Sequence, residues 1–420
     1  MKILFYLIVI IGLCYFLLKN RKFDFFTIGF LSAVVYFLPG FYGYAYYNMS
    51  LDIRSYLADE TYLIMITLLI LILIGALLFD LKSNDNVTRK TLQGTEKVTE
   101  ITTLIAIISF ILTIYTIGWD TLTQLDKRTM LEELNIWHSM MRASTALAVV
   151  LSFNSKKWRL FVISLVILLF NTYIGFRSTT AYTVIALFMI YLSDKGKQRL
   201  LLNNIKVLII GVMAAVFFFS YKSVYILVKA GEYGEALATF FSIDNLIYSI
   251  SHSEPFTTQA ILNEVIITNF KSGYDHLIEV FIDLIIPVGK STLAGQHIGV
   301  TNFTDLISTN VFKDRTNIAS NIWAELWSAG GWILLITSMV LFVLILFISS
   351  RLLFKTKNEI QSGIALIISI WAFYIHRNTV SYQLELSREF IAIFIISMLI
   401  SLFIMKKPSK IRRKSLRSSN

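Results

Sequence analysis

Apolar runs long enough to cross a lipid bilayer recur along this chain, and that feature decides most of what it can fold into. Several reach about 17 residues or more, the length a helix needs to traverse the roughly 30 Å hydrocarbon core. In lipid a backbone N–H or C=O finds no water, so each run must satisfy its own backbone as an α-helix. The alternating pattern of a membrane β-barrel is absent. Composition agrees: of 420 residues, 56% are hydrophobic and 15% charged, against about 25% charged in a soluble domain. The expectation is an all-α, polytopic integral membrane protein, a single membrane domain over 1–420 with about eleven transmembrane helices.

The predicted spans run approximately 3–18, 23–47, 61–79, 101–118, 137–153, 159–176, 178–193, 207–228, 322–349, 360–376 and 388–405. Pro39-Gly40 is expected to bend or end the second. The first lacks an Ala-x-Ala-like cleavage site and is followed by Lys19, Arg21 and Lys22, so it reads as a span rather than a signal peptide. The single Cys14 excludes an internal disulfide and a multi-cysteine metal site.

Charge sets the orientation. The net charge of +11 does not point to nucleic acid, because basic residues gather in the cytoplasmic loops of polytopic proteins. One alternate set of loops holds most of the 38 basic residues: Lys19, Arg21 and Lys22, then Lys82, Arg89, Lys90 and Lys97, then Lys156, Lys157 and Arg159, then Lys195, Lys197, Arg199 and Lys206, then Arg351, Lys355 and Lys357, and the tail over 406–420. These loops are expected inside, with the N-terminus outside, the C-terminus cytoplasmic and the tail on anionic headgroups.

The opposite face receives a long outer segment, 229–321, whose apolar stretches 261–270 and 277–288 are too short to span and are expected to be interfacial or re-entrant helices. The same face collects all five histidines and several arginines placed at span ends. Arg177 stands between two apolar segments with no useful loop to hold it. Arg142 shares a helix face with His138, four residues earlier. Ionisable groups in spans are costly and default to functional hypotheses, although an arginine also reaches headgroup phosphates by snorkelling. His376-Arg377 occupies the last outer turn, Glu254 lies in Ser-His-Ser-Glu-Pro, and Glu385, Arg388 and Glu389 have the spacing of an internal salt-bridge set. Asp120 to Glu133 reads as a solvated surface.

Other motifs carry no chemistry. Val288-Gly289-Lys290-Ser291-Thr292 looks like the end of a P-loop, but Leu284 stands where its first glycine belongs. His252, His276 and His297 lack zinc-ligand spacing. No cofactor and no metal is expected.

Three features together resemble the Wzy-type polymerases of O-antigen and capsule repeat units. They are Ile174-Gly175-Phe176-Arg177-Ser178 opening a span, the long outer segment, and the stretch Ala319-Ser320-Asn321-Ile322-Trp323-Ala324-Glu325-Leu326-Trp327-Ser328-Ala329-Gly330-Gly331-Trp332 leading into the next span. The Arg-x10-Gly repeats of some members do not start from Arg142, Arg177 or Arg315, so no residue is carried over on that basis. The resemblance implies glycosyl transfer on the outer leaflet of the bacterial inner membrane. The donor is an oligosaccharide on undecaprenyl pyrophosphate, the acceptor is a sugar hydroxyl of another lipid-linked unit, and a chain-length-regulating membrane protein is a further partner. Such a reaction needs cations for the leaving pyrophosphate and a base for the hydroxyl. Arg142, Arg177, Arg315 and Arg377 are the expected clamp, and Glu254, His252, Glu325 or His376 the expected base. An O-antigen ligase of lipopolysaccharide assembly shares this chemistry. A metal-dependent lipid-phosphate-sugar glycosyltransferase favours an acidic first outer loop, of which Asp59-Glu60 is a trace. A lipid-linked oligosaccharide flippase should show two related halves and mid-membrane charge, and neither is seen.

Overall fold

The fold was analysed in a computed structural model, which describes residues 1–48, 53–82, 94–124, 130, 133–251, 253–278, 280, 302–312 and 320–405. His252, Arg315, the tail 406–420 and most of the stretch 277–288 lie outside the described residues.

The chain is mostly helical. α1 (Lys2–Leu18) leads through β1 (Arg21–Lys22) to α2 (Phe25–Tyr36) and the short α3 (Pro39–Tyr42). β2 (Tyr44–Asn48) and β3 (Ile53–Tyr56) form an antiparallel ribbon before α4 (Asp59–Lys82). Then come α5 (Val98–Ile117), α6 (Trp119–Thr123), α7 (Ile136–Asn154), α8 (Trp158–Tyr173), α9 (Arg177–Ser193), β4 (Lys197–Gln198), α10 (Leu200–Asn203) and α11 (Ile205–Ala230). The segment expected outside holds α12 (Tyr233–Phe240), α13 (Ile243–Ser251), α14 (Glu254–Ile267) and α15 (Phe303–Asn310). α16 (Ile322–Lys355), α17 (Asn358–Tyr374), a 3-10 turn (Ile375–Arg377) and α18 (Val380–Met405) complete the chain.

Among the described residues, five helices are long and apolar enough to cross a membrane: Asp59–Lys82, Val98–Ile117, Ile322–Lys355, Asn358–Arg377 and Val380–Ile404. The eleven-span layout is therefore not established by helix length and hydropathy. α1, α2 and α8 are apolar but shorter. Several boundaries differ from expectation. The second predicted span stops at Tyr36, ahead of Pro39, and the chain turns into the ribbon, where Tyr44, Tyr46 and Tyr56 favour strand. α18 begins at Val380 rather than 388, because Gln383 and Ser387 are buried within its first turns. α16 is broken at Gly331, whose φ of 61° and ψ of −151° only glycine adopts readily.

α2 is the centre of the packing. Phe25, Phe26, Phe30 and Ala33 are fully buried, and aromatic rings seat on glycines of neighbouring helices. A Cβ on Gly75 of α4 would stand 2.7 Å from Phe26. Such small-residue contacts let helices approach where lipid supplies no hydrophobic drive.

The loops sort to two ends of this body. β1 pairs with β4, matching Arg21 with Gln198 and Lys22 with Lys197. Lys19 reaches Asp80 at 3.1 Å, Lys157 reaches Glu100 at 2.8 Å, Asn154 donates to the Asn358 carbonyl, and Ser401 donates to the Gly94 carbonyl. These contacts gather the basic loops at one end. At the other, Ser55 meets Glu264, Asn263 accepts from the Ala58 amide, and Lys229 donates to the Gln124 carbonyl.

The stretch 261–270, expected as an interfacial or re-entrant helix, falls largely within α14, in which Gln259, Ile261, Leu262 and Asn263 are buried, so it packs inside the body rather than on its surface. Asn263 staples α14 to the β2–β3 ribbon through the Ser55 hydroxyl and the Tyr56 carbonyl. The exposed amphipathic helices are instead α12 and α13, with Leu237 59% and Ile243 73% exposed.

Arg21, expected as one of several topology signals, is 3% exposed. Its guanidinium lies 2.8 Å from Asp24 and 3.3 Å from Asp80, and it donates to the Thr27 hydroxyl at 2.6 Å. Asp24 also caps α2 by accepting from the Thr27 amide. Breaking a buried pair leaves an uncompensated charge costing about 3–5 kcal/mol. Asp24→Ala is therefore expected to lower the thermal unfolding midpoint in detergent strongly. Lys157→Ala, removing a largely exposed pair, should move it by less than about 1 kcal/mol equivalent.

Candidate functional site

Two of the expected residues, Arg377 and Glu254, meet at the end opposite the basic loops, with Arg177 in electrostatic range of both. Arg177 opens α9. It is held there by a tight α8–α9 hairpin that turns on Gly175, whose φ is 108°, and is tied by the Thr172 and Thr180 hydroxyls. Phe176 offers no side-chain cap to α9, so the positive end of the helix dipole adds to the arginine's charge. Arg377 ends the 3-10 turn between α17 and α18. Glu254 is the first residue of α14, where the dipole favours a carboxylate.

The Arg377 Nη1 lies 2.6 Å from Glu254 Oε2, with the two side chains 31% and 33% exposed. Arg377 also donates to the Tyr374 hydroxyl. Arg177 lies within electrostatic reach of Glu254 and Arg377, and its guanidinium stands 5.7 Å from the Tyr225 ring centroid. Phenols accompany the cluster: Tyr36 of α2 lies in electrostatic range of Glu254 and Arg377, and Tyr374 accepts from Arg377. Two guanidiniums against one carboxylate leave these three residues with an excess positive charge, and the Arg377–Glu254 pair is about one-third exposed.

Arg142 is not joined to this pair by contact. Its Nη2 lies 2.5 Å from Glu389, with the arginine 13% exposed. Glu389 is nine residues into α18, about 14 Å from its start at 1.5 Å per residue. Of the expected Glu385/Arg388/Glu389 set, Glu389 thus pairs with Arg142 of α7. Tyr382 lies between, acting on both Arg142 and Arg377. His138 is buried with its ring 4.4 Å from Phe176.

Glu325 and His376 face inward and anchor the Arg377 turn. His376 is fully buried. Its Nδ1 accepts from Trp323 Nε1 at 3.0 Å, and its ring packs on Tyr36 and Phe37. Glu325 is 1% exposed, accepts from the Val380 amide at 2.7 Å, and lies 3.4 Å from His276 Nε2. It caps α18, so it fixes the chain three residues beyond Arg377. With His376 turned into the core, its neighbour is directed outward. Both are buried, in contrast to Glu254, which is about one-third exposed. Among the described residues, no group of three His, Cys, Asp or Glu side chains is arranged to hold a metal ion.

Sequence reasoning missed Tyr36, Tyr374, Tyr225 and Trp323. Tyr374 had one local signal, its position three residues before Arg377 on a helical turn. Tyr36 and Trp323 had none, since their partners come from distant helices.

The capping role of Glu325 is separable from a base role. Glu325→Gln keeps an acceptor for the Val380 amide and is expected to remain folded and functional. Glu325→Leu orphans that amide, at a cost of about 1–3 kcal/mol, and should lower the unfolding midpoint. A Gln variant that stays folded but loses function would reassign the residue.

No protein-family model, curated protein or solved structure matches this chain, so its function is argued from the site itself.

Proposed function

We propose that the chain is a polymerase joining undecaprenyl-pyrophosphate-linked oligosaccharide repeat units into a surface polysaccharide at the outer leaflet of a bacterial inner membrane. The observation carrying this reading is the convergence of Arg177, Arg377 and Glu254, from three separate elements, at the end away from the basic loops. On this reading about eleven helices cross the membrane, the basic end is cytoplasmic, the N-terminus is outside and the C-terminus inside.

The acceptor sugar hydroxyl attacks the donor anomeric carbon. The new C–O bond forms as the bond to the lipid pyrophosphate breaks, and the pyrophosphate leaves with the electron pair. Arg177 and Arg377 offset the charge growing on it, their planar forks matching phosphate oxygens. Glu254 takes the hydroxyl proton. The tyrosine hydroxyls supply further donors at the rim. Arg142, neutralised by Glu389, supports α7 against α18 rather than touching the phosphate.

The test uses purified protein in liposomes supplied with the lipid-pyrophosphate-linked repeat unit, with products separated by size. A ladder is expected. Arg177→Lys, which loses the fork but keeps the charge, should reduce turnover by roughly 10- to 100-fold, while Lys90→Gln leaves it unchanged. A full ladder from Arg177→Ala overturns the clamp. Movement of the lipid between leaflets without a ladder makes the protein a flippase.

A further inference from the structure

We infer that Glu254 occupies the pyrophosphate's place on Arg377 in the empty site, and that the arriving donor displaces it. The inference rests on the proposed function and deepens it: the substrate's own phosphate would release the base that its reaction requires.

Three arginine–carboxylate pairs distinguish the roles such pairs play here. Arg21–Asp24 is locked, at 3% and 0% exposed. Arg142–Glu389 is half withdrawn, at 13% and 29%. Arg377–Glu254 is the pair with both partners about one-third open, at 31% and 33%. This pair is the most accessible of the three, so a ligand can approach it in a way it cannot approach the other two.

The competitor is better suited to the place than the occupant. A carboxylate brings one negative charge, a pyrophosphate more than one and a fuller set of acceptor oxygens. Arg177 lies in electrostatic range of both partners of this pair, and it opens α9, whose N-terminal dipole favours an anion nearby. Phosphate binding thus engages both guanidiniums, where Glu254 is placed to make an ion pair with one.

Displacement needs only a side-chain rotation. Glu254 is at the first position of α14 and is followed by Pro255, whose ring fixes its own backbone angle. α14 is itself held by Asn263 on the β2–β3 ribbon. The backbone stays put while the carboxylate swings. Once off Arg377 it is an unpaired anion beside a bound donor, the condition under which it accepts a proton most readily.

The experiment measures binding of undecaprenyl pyrophosphate to the full chain in lipid nanodiscs, with undecaprenol and inorganic pyrophosphate as comparison probes. Glu254→Gln is expected to bind the lipid pyrophosphate roughly three- to tenfold more tightly than wild type, because the internal competitor is gone. Undecaprenol binding should not change. Inorganic pyrophosphate should gain by the same factor from a weaker start. In the polymer assay the same variant should show a lower donor KM together with a kcat reduced on the order of a hundredfold. Glu254→Asp, with a shorter reach, should fall between. Glu254→Gln that binds the lipid as wild type does, or more weakly, overturns the displacement while leaving the clamp standing. Wild type and Glu254→Gln that both fail to bind it overturn the proposed function, and the displacement with it. A folding defect is separated from both by the unfolding midpoint, with Glu254→Asp carrying the test if Gln does not fold.

Discussion

Every arginine that this largely apolar body holds away from its rim has to be given a partner, and the choice of partner sorts the structure. A guanidinium cannot shed its proton, and withdrawing it from water unpaired is expensive. Arg21 is answered by Asp24 and Asp80, Arg142 by Glu389, and Arg377 by Glu254. The first two pairs sit between helices and fix how they pack. The third is the most exposed of these pairs. One kind of interaction thus recurs at different depths of the structure.

The two ends of the body differ for the same reason. At the basic end, Arg21 ties α1, α2 and α4 together, while β1 and β4 join loops far apart in sequence. The other end is built around the inward anchors Glu325 and His376. They hold the α17–α18 turn by an amide and an indole N–H, so that Arg377 is presented rather than left to wander. A site for a charged ligand in a membrane setting needs this second layer, since a long side chain on a loose turn would find headgroups first.

Much of this was legible in the residues themselves. Arg177 and Arg377 are conspicuous because a cation beside an apolar run is costly wherever the run ends up, and Glu254 is visible as an acid beside a proline at a helix start. Their meeting was not legible, since pairing between α14 and the α17–α18 turn depends on how the helices between them pack. Glu325 and His376 were singled out by residue type, and only tertiary burial separates an inward cap from an accessible base. The start of α18 was hidden because Gln383 and Ser387 look like loop residues until they are seen buried. The stretch 261–270 drew attention because its apolar run is continuous, whereas an apolar pattern interrupted at helical spacing is less conspicuous. α12 and α13 carry the interrupted kind.

The position of α2 sets a schedule for making the protein. Its Phe25 amide donates to Ser350, 325 residues later, and its Ser32 hydroxyl donates to the carbonyl of Phe373, 341 residues later. α2 leaves the ribosome long before the helices that carry Ser350 and Phe373. At roughly 5–20 residues per second, the interval is on the order of 15–65 seconds. Through that time a helix rich in buried phenylalanine waits with its final neighbours unwritten. Its synthesis and its arrival in the core are separate events, and the second waits until Ser350 and Phe373 have been made.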